Sequence, residues 1–134
     1  MNGIDYINPD GLSKNPAFSQ VVTTYGNGKT IYVGGQNAVT AKGEIVSKGD
    51  IAGQTAQVME NLKVALEACG AEFENLVKLT IHIVQGNDLY SAFRASQQFL
   101  GHLQNPPAIT GFFVAALANP DFMVEVDAIA FLPI

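Results

Sequence analysis

Apolar residues recur in this chain with two distinct periods, and the switches between them mark out the elements. From Ile51 to Ala68 and on to Cys69, the residues Ala52, Ala56, Met59, Leu62, Ala65, Leu66 and Cys69 follow the spacing of one helix face. Gln54, Gln57, Glu60, Lys63 and Glu67 fall on the other side. Asp50 stands where an N-cap carboxylate can accept from the free amides of the first turn, and Gly70 stands where a helix closes in the left-handed conformation. A second helix begins at Asn87 or Asp88, with Ala92, Phe93, Ser96, Phe99, Leu100 and Leu103 as its inner stripe. Asn105-Pro106-Pro107 ends it, because proline cannot continue a helix and pushes the residue before it to extended geometry. Between the helices, Leu76–Val84 alternates as a strand. Val77, Leu79, Ile81 and Ile83 face one way, and Lys78, Thr80 and His82 the other.

The rest of the chain reads as strands and turns. Residues 1–16 form a polar lead-in with a turn at Asn8-Pro9-Asp10-Gly11. The β-rich runs 18–25 and 30–34 flank Gly26-Asn27-Gly28, which predicts a hairpin. Gly34-Gly35-Gln36 closes the second run, and paired glycines there free the backbone for a bulge or a close ligand approach. A turn at 41–44 leads to a short strand at Ile45-Val46. Residues 106–131 form two apolar strands joined at Asn119-Pro120-Asp121. In the second of these, Glu125 and Asp127 share one face while Val124, Val126 and Ala128 share the other. Two carboxylates in so oily a strand call for a wet face or for a pocket that they line. The expected fold class is α/β (α+β), one domain over residues 1–134, with a mixed sheet and two helices on one face. Each helix links two strands, which allows parallel neighbours.

Composition sharpens this picture. Charged residues make up 14% of the chain, against roughly 25% for an average soluble domain. So few charges point to a surface buried against other copies of the chain. The net charge of −5, with seven scattered basic residues, disfavours a nucleic-acid partner. No apolar run approaches the ~20 residues of a membrane span. The start of the chain carries no leader pattern, and a single cysteine allows no internal disulfide, so a cytoplasmic protein is expected. Cys69 lies on the apolar stripe at a helix C-terminus and reads as structural. His82 and His102 have no ligand-type residues at metal-binding spacing, so no metal is expected. No phosphate loop or dinucleotide fingerprint is present, so no cofactor is expected either.

Taken together, Asn15–Gln20, the run TIYVGGQ at 30–36, Asp50–Gly70, Leu76–Asp88, Pro106-Pro107-Ala108 and MVEVDAIA at 123–130 resemble the Rid family, also called YjgF or L-PSP. The resemblance implies a chorismate-mutase-like fold in which a homotrimer packs its sheets into a central barrel. Small-molecule clefts would then lie between subunits. It also implies cofactor-free hydrolysis of 2-imino acids to 2-keto acids, with an arginine after the Pro-Ala pair forking onto the substrate carboxylate. In this chain that position is Ile109, the usual serine before Gly-Gln is Gly34, the usual tyrosine is Phe18 and a frequent cysteine is Gly111. Gly35, Gln36, Asn87 and the water-orienting Glu125 match the family pattern. The cradle is kept and the carboxylate clamp is gone, with Arg94 and Lys78 the nearest substitute cations. By alternation Ile109, Gly111 and Phe113 would form an apolar wall. Two readings follow. One is a deaminase-like hydrolase acting on an imine, enamine or related electrophile other than an ordinary 2-imino acid. The other is a non-catalytic small-molecule-binding or chaperone-like trimer. A ribonuclease, the family's older description, sits poorly with the acidic charge.

Overall fold

The computed structural model describes residues 3–134. Six strands and two helices follow in chain order: β1 (Gly3–Ile7), β2 (Val21–Tyr25), β3 (Gly28–Gln36), α1 (Ile51–Ala68), β4 (Leu76–Val84), α2 (Leu89–Leu100), β5 (Ala108–Val114) and β6 (Val124–Pro133). A 3-10 turn at Phe73–Asn75 leads into β4. The main sheet has the order β3-β6-β4-β5. β4 and β5 are parallel and joined by α2, while β6 runs antiparallel to both β3 and β4. α1 therefore also joins two strands of one direction, with β6 inserted between them. Both helices pack on one face, where Thr55 and Met59 of α1 and Ala92 and Phe93 of α2 meet Leu79, Ile83, Val124 and Val126. The core continues through Leu62, Leu66, Ala128 and Ala130. The other face carries Tyr32, 77% exposed, together with Lys78, Thr80, His82, Glu125 and Asp127.

The caps hold as the spacing predicts. Asp50 accepts from the Gly53 amide at 3.1 Å, and Gly70 takes φ +78° beyond the C-terminus of α1. Lys29 adds a cation there, its ammonium donating to the Cys69 carbonyl at 2.7 Å. Asp88, not Asn87, caps α2. Its carboxylate accepts from the Ser91 hydroxyl at 2.8 Å and the Tyr90 amide at 3.0 Å, which holds it below the ordinary range.

Several expectations need correction. The runs around Gly26-Asn27 do not pair with each other as a hairpin: β2 pairs with β1, and β3 with β6. The lead-in contains β1, which the polar character of that stretch concealed; Met1 and Asn2 lie outside the described residues. Ile45 makes only an isolated bridge to Val39. A register shift between Leu76 and Lys78 turns Leu76 inward in place of Val77. The 106–131 stretch does hold two strands, and β4 lies between them in the sheet. Gln54, placed on the polar side of α1 by period alone, is fully buried, and on α2 Ala95 is buried where Phe93 is 43% exposed.

β1 is tied to the core side of the fold by Tyr6, whose hydroxyl donates to the Glu74 carbonyl at 3.1 Å. Burial raises the phenol above its ordinary value, and the Glu74 carboxylate adds to the rise. The folded chain thus keeps this phenol protonated to higher pH than the unfolded chain does. Its contribution to stability is complete below the unfolded value near 10 and is lost as pH climbs through the folded value. In an ultraviolet difference titration, one of the four tyrosines should ionise late, and Tyr6→Phe should remove that phase. A late phase that persists in the variant would assign it elsewhere.

Candidate functional site

The first cluster forms where β3 crosses β6. Val33 pairs with Ala128 and Gln36 with Val126, so one extra residue bulges out of β3 at Gly34-Gly35. The carboxylate of Glu125 lies against that bulge. A Cβ at Gly35 would stand 2.8 Å from both Cδ and Oε2 of Glu125, so a side chain there would collide with it. Gln36 closes the turn from beside it, donating through Nε2 to the Gly34 carbonyl at 3.1 Å. A Cβ at Gly34, by contrast, meets no atom within 4 Å.

His82 stands in register with Glu125 on the same face. Its Nδ1 is 3.2 Å from the Glu125 carbonyl, and since a carbonyl only accepts, this contact puts the proton on Nδ1. The edge-to-face contact with Phe112, at a centroid separation of 4.7 Å, holds the ring in place. Strand period placed His82 on the polar face of its strand, but only the β4–β6 register sets it opposite Glu125.

The second cluster lies on the opposite face. Ile109, Gly111 and Phe113 are in register with Leu79, Ile81 and Ile83, which puts them on the helix side of the outermost strand. With Phe18 and Phe93 they line a cavity of about 350 Å³. Its polar walls are neutral: Asn15, Ser96 and Gln97. Among the described residues no charged side chain lines it. Lys78 donates to Thr110 Oγ1 at 2.7 Å, and by register it belongs to the other face. Arg94 points outward along α2, donating to the Ser91 hydroxyl at 3.4 Å. Neither cation reaches Ile109. A larger, more open cleft of about 870 Å³ between the C-terminal ends of the helices, with Glu67, Glu74 and His102 on its walls, contains none of the predicted site residues.

The structure thus gathers Gly34, Gly35, Gln36 and Glu125 in one place and Phe18, Ile109 and Gly111 in another. Within one chain it does not bring the two together. Asn87 belongs to neither group: it follows β4, its side-chain amide donating to the Val84 carbonyl at 2.9 Å. Phe113 stands in the apolar wall where alternation placed it, whereas Phe93, which completes the cavity, was legible only as an apolar position on the inner stripe of α2. Among the described residues no group of three His, Cys, Asp or Glu side chains is placed to hold a metal ion, and no helix is long and apolar enough to cross a membrane.

A mixed sheet backed on one face by two helices, with a glycine bulge beneath a strand glutamate, is an α+β domain of the Rid type. The Rid-family protein YyfB of Yersinia pestis, whose function is unknown, superposes with a TM-score of 0.86 at 32% identity, over 96% of this chain and 98% of that one. Residues 11–132 match the family described as Endoribonuclease L-PSP, and the chain belongs to that family, the YjgF/Rid proteins. It is 35% identical over 105 residues to a RutC family protein of Pyrococcus horikoshii, covering 78% of this chain and 80% of the relative. It is also 32% identical over 103 residues to the human 2-iminobutanoate/2-iminopropanoate deaminase, covering 76% of this chain and 72% of that protein.

Proposed function

We propose that this protein is a Rid-type hydrolase acting on an imine, enamine or related electrophile that carries no carboxylate, in a cleft between neighbouring copies of a homotrimer. One observation carries the reading: the cavity at Ile109, where the family resemblance places a carboxylate-binding arginine, has no cation in its walls. The human relative's name specifies 2-imino acids, which bear the carboxylate such an arginine would hold. Losing a bidentate contact to a charged group forfeits about 3 kcal/mol, at ~1.5–3 per bond. The opposed faces of the two clusters favour a shared site, in which one copy supplies the Ile109 wall and its neighbour the Glu125 patch. There Glu125 would orient a water at the electrophilic carbon, and backbone amides of the Gly34-Gly35 bulge would hold the group on which charge develops. Water adds to the carbon of the C=N bond, and the nitrogen leaves as ammonia or an amine. Ribonuclease chemistry is not favoured, because the chain carries a net charge of −5.

Imines of alanine and of 2-aminobutyrate, generated enzymatically in a coupled assay, should decay at the uncatalysed rate in the presence of the protein. A simple imine without a carboxylate should decay faster, and Glu125→Gln should abolish that gain. Ile109→Arg should bind small carboxylates that the native chain ignores. Rapid hydrolysis of the imino acids, or a stable monomer in sedimentation at micromolar concentration, would overturn the reading. Ligand binding without turnover would identify a non-catalytic binding trimer instead.

A further inference from the structure

The cavity beside Ile109 continues beneath α2. A deeper space of about 80 Å³ adjoins it, and Ile81, Ile83, Leu89, Phe93, Ser96 and Leu100 wall both. Met59 of α1 and Val124 and Val126 of β6 form its floor. The only polar side chains there are Thr55 and Ser96, and each has already spent its one proton on its own helix. Thr55 donates to the Ile51 carbonyl at 2.8 Å and Ser96 to the Phe93 carbonyl at 2.7 Å. A buried water needs roughly two to four polar partners, and apolar cavities without them stay dry. The two hydroxyl oxygens can still accept, so a water there would have at most these two partners, the low end of what a buried water needs, and hydrocarbon displaces it at small cost.

The mouth tells the same story. Leu89 and Phe93, one turn apart on α2, are 53% and 43% exposed, and Phe113 on β5 is 47% exposed. Three large apolar side chains stand open at the entrance to a cavity that a hydrocarbon group would fill. An apolar cavity of about 150 Å³ suffices for benzene, so the outer 350 Å³ has room for a ring or a chain together with a polar head. The neutral amides of Asn15 and Gln97 in the outer wall suit a carbonyl-type head.

We infer that the space beneath α2 is a binding site for an uncharged carbonyl or imine compound with a hydrocarbon arm, the arm reaching inward past Ser96. This deepens the proposed function, on which the choice of head group rests, by naming the arm of the ligand. The walls that hold the arm all belong to one chain.

The test is titration of the whole protein, followed by NMR or calorimetry, with straight-chain 2-alkanones of increasing length and with carboxylates of equal length. Ketone affinity should rise about fourfold with each added methylene until the deep space is full, then level off. Carboxylates should bind at least tenfold more weakly. Ser96→Leu should push the inner space closed and weaken the longest ketone about tenfold while sparing the shortest. Phe93→Ala, at an exposed position that leaves the fold intact, should weaken the whole series. A flat response to chain length, or carboxylates that bind as well as ketones, overturns the inference. The two readings separate cleanly. Ketone binding with no turnover of any neutral imine removes the hydrolase and leaves this site standing. Turnover of short imines with no dependence on chain length does the reverse.

Discussion

Gln54→Leu should destabilise the fold by about 2–4 kcal/mol and lower its melting temperature by roughly 10 °C. Gln54 is fully buried, and its side chain joins three segments. Nε2 donates to the Asp121 carbonyl at 2.9 Å and the Val46 carbonyl at 3.3 Å, while Oε1 accepts from the Met123 amide at 2.9 Å. Leucine nearly matches the volume but leaves these backbone groups without partners. Each unsatisfied group costs about 1–3 kcal/mol, against a total stability of about 5–15. Their partial access to water sets the expected loss in the lower part of the possible range. Met123 leads directly into β6, so the same change should loosen the strand that carries Glu125. Thermal unfolding of the two proteins decides the matter. A change within about 0.5 kcal/mol, as at an ordinary surface site, would show that water replaces the glutamine.

Gly35→Ala should separate function from stability. The new methyl would stand 2.8 Å from Cδ and Oε2 of Glu125, too close for both to stay. The obstacle is the end of a flexible side chain, so the carboxylate swings away and the strand holds. The expected stability change is below about 1 kcal/mol. Turnover of a neutral imine should fall about 100-fold, the scale of loss when a reacting group is misplaced by about 1 Å. Gly34→Ala makes the contrast, since its Cβ meets no atom of its own chain within 4 Å. An effect there would report a neighbouring copy or a ligand. A Gly35→Ala protein that keeps full turnover would remove Glu125 from the chemistry.

Local signals carried the elements, and long-range pairing carried most of the surprises. The bounds of α1 were legible to the residue, because a capping aspartate and a closing glycine agree, but its buried face was not, since Gln54, Thr55 and Val58 also turn inward. The alternation that set Glu125 and Asp127 apart from Val124 and Val126 is equally local, and the structure keeps it. The glycine pair also did as its chemistry allows, by forming the bulge. The hairpin failed for a different reason: a tight turn says that two strands reverse direction, not which strand each will join. β3 takes β6 as its partner, about 100 residues away, on grounds of shape that no short window contains. Gln54 is the same lesson for a helix. Its period is polar, and the fold of residues 119–123 and of Val46 over α1 buries it. The site was half legible. Its residues could be named from pattern and resemblance, but the insertion of β4 between β5 and β6, and the register that follows, put Ile109 and Glu125 on opposite faces.

The position of β6 also bears on how the chain is made. It follows every other element in sequence yet lies between β3 and β4 in the sheet. Until residues 124–133 are in place, β3 and β4 have no strand between them, and of the main sheet only the β4–β5 ladder can form. The nascent chain must keep these apolar strands from joining other chains until its final ladder arrives, an interval in which chaperone binding has the most to protect. A stop codon at the start of β6 would remove no surface ornament. It would take out the middle of the sheet.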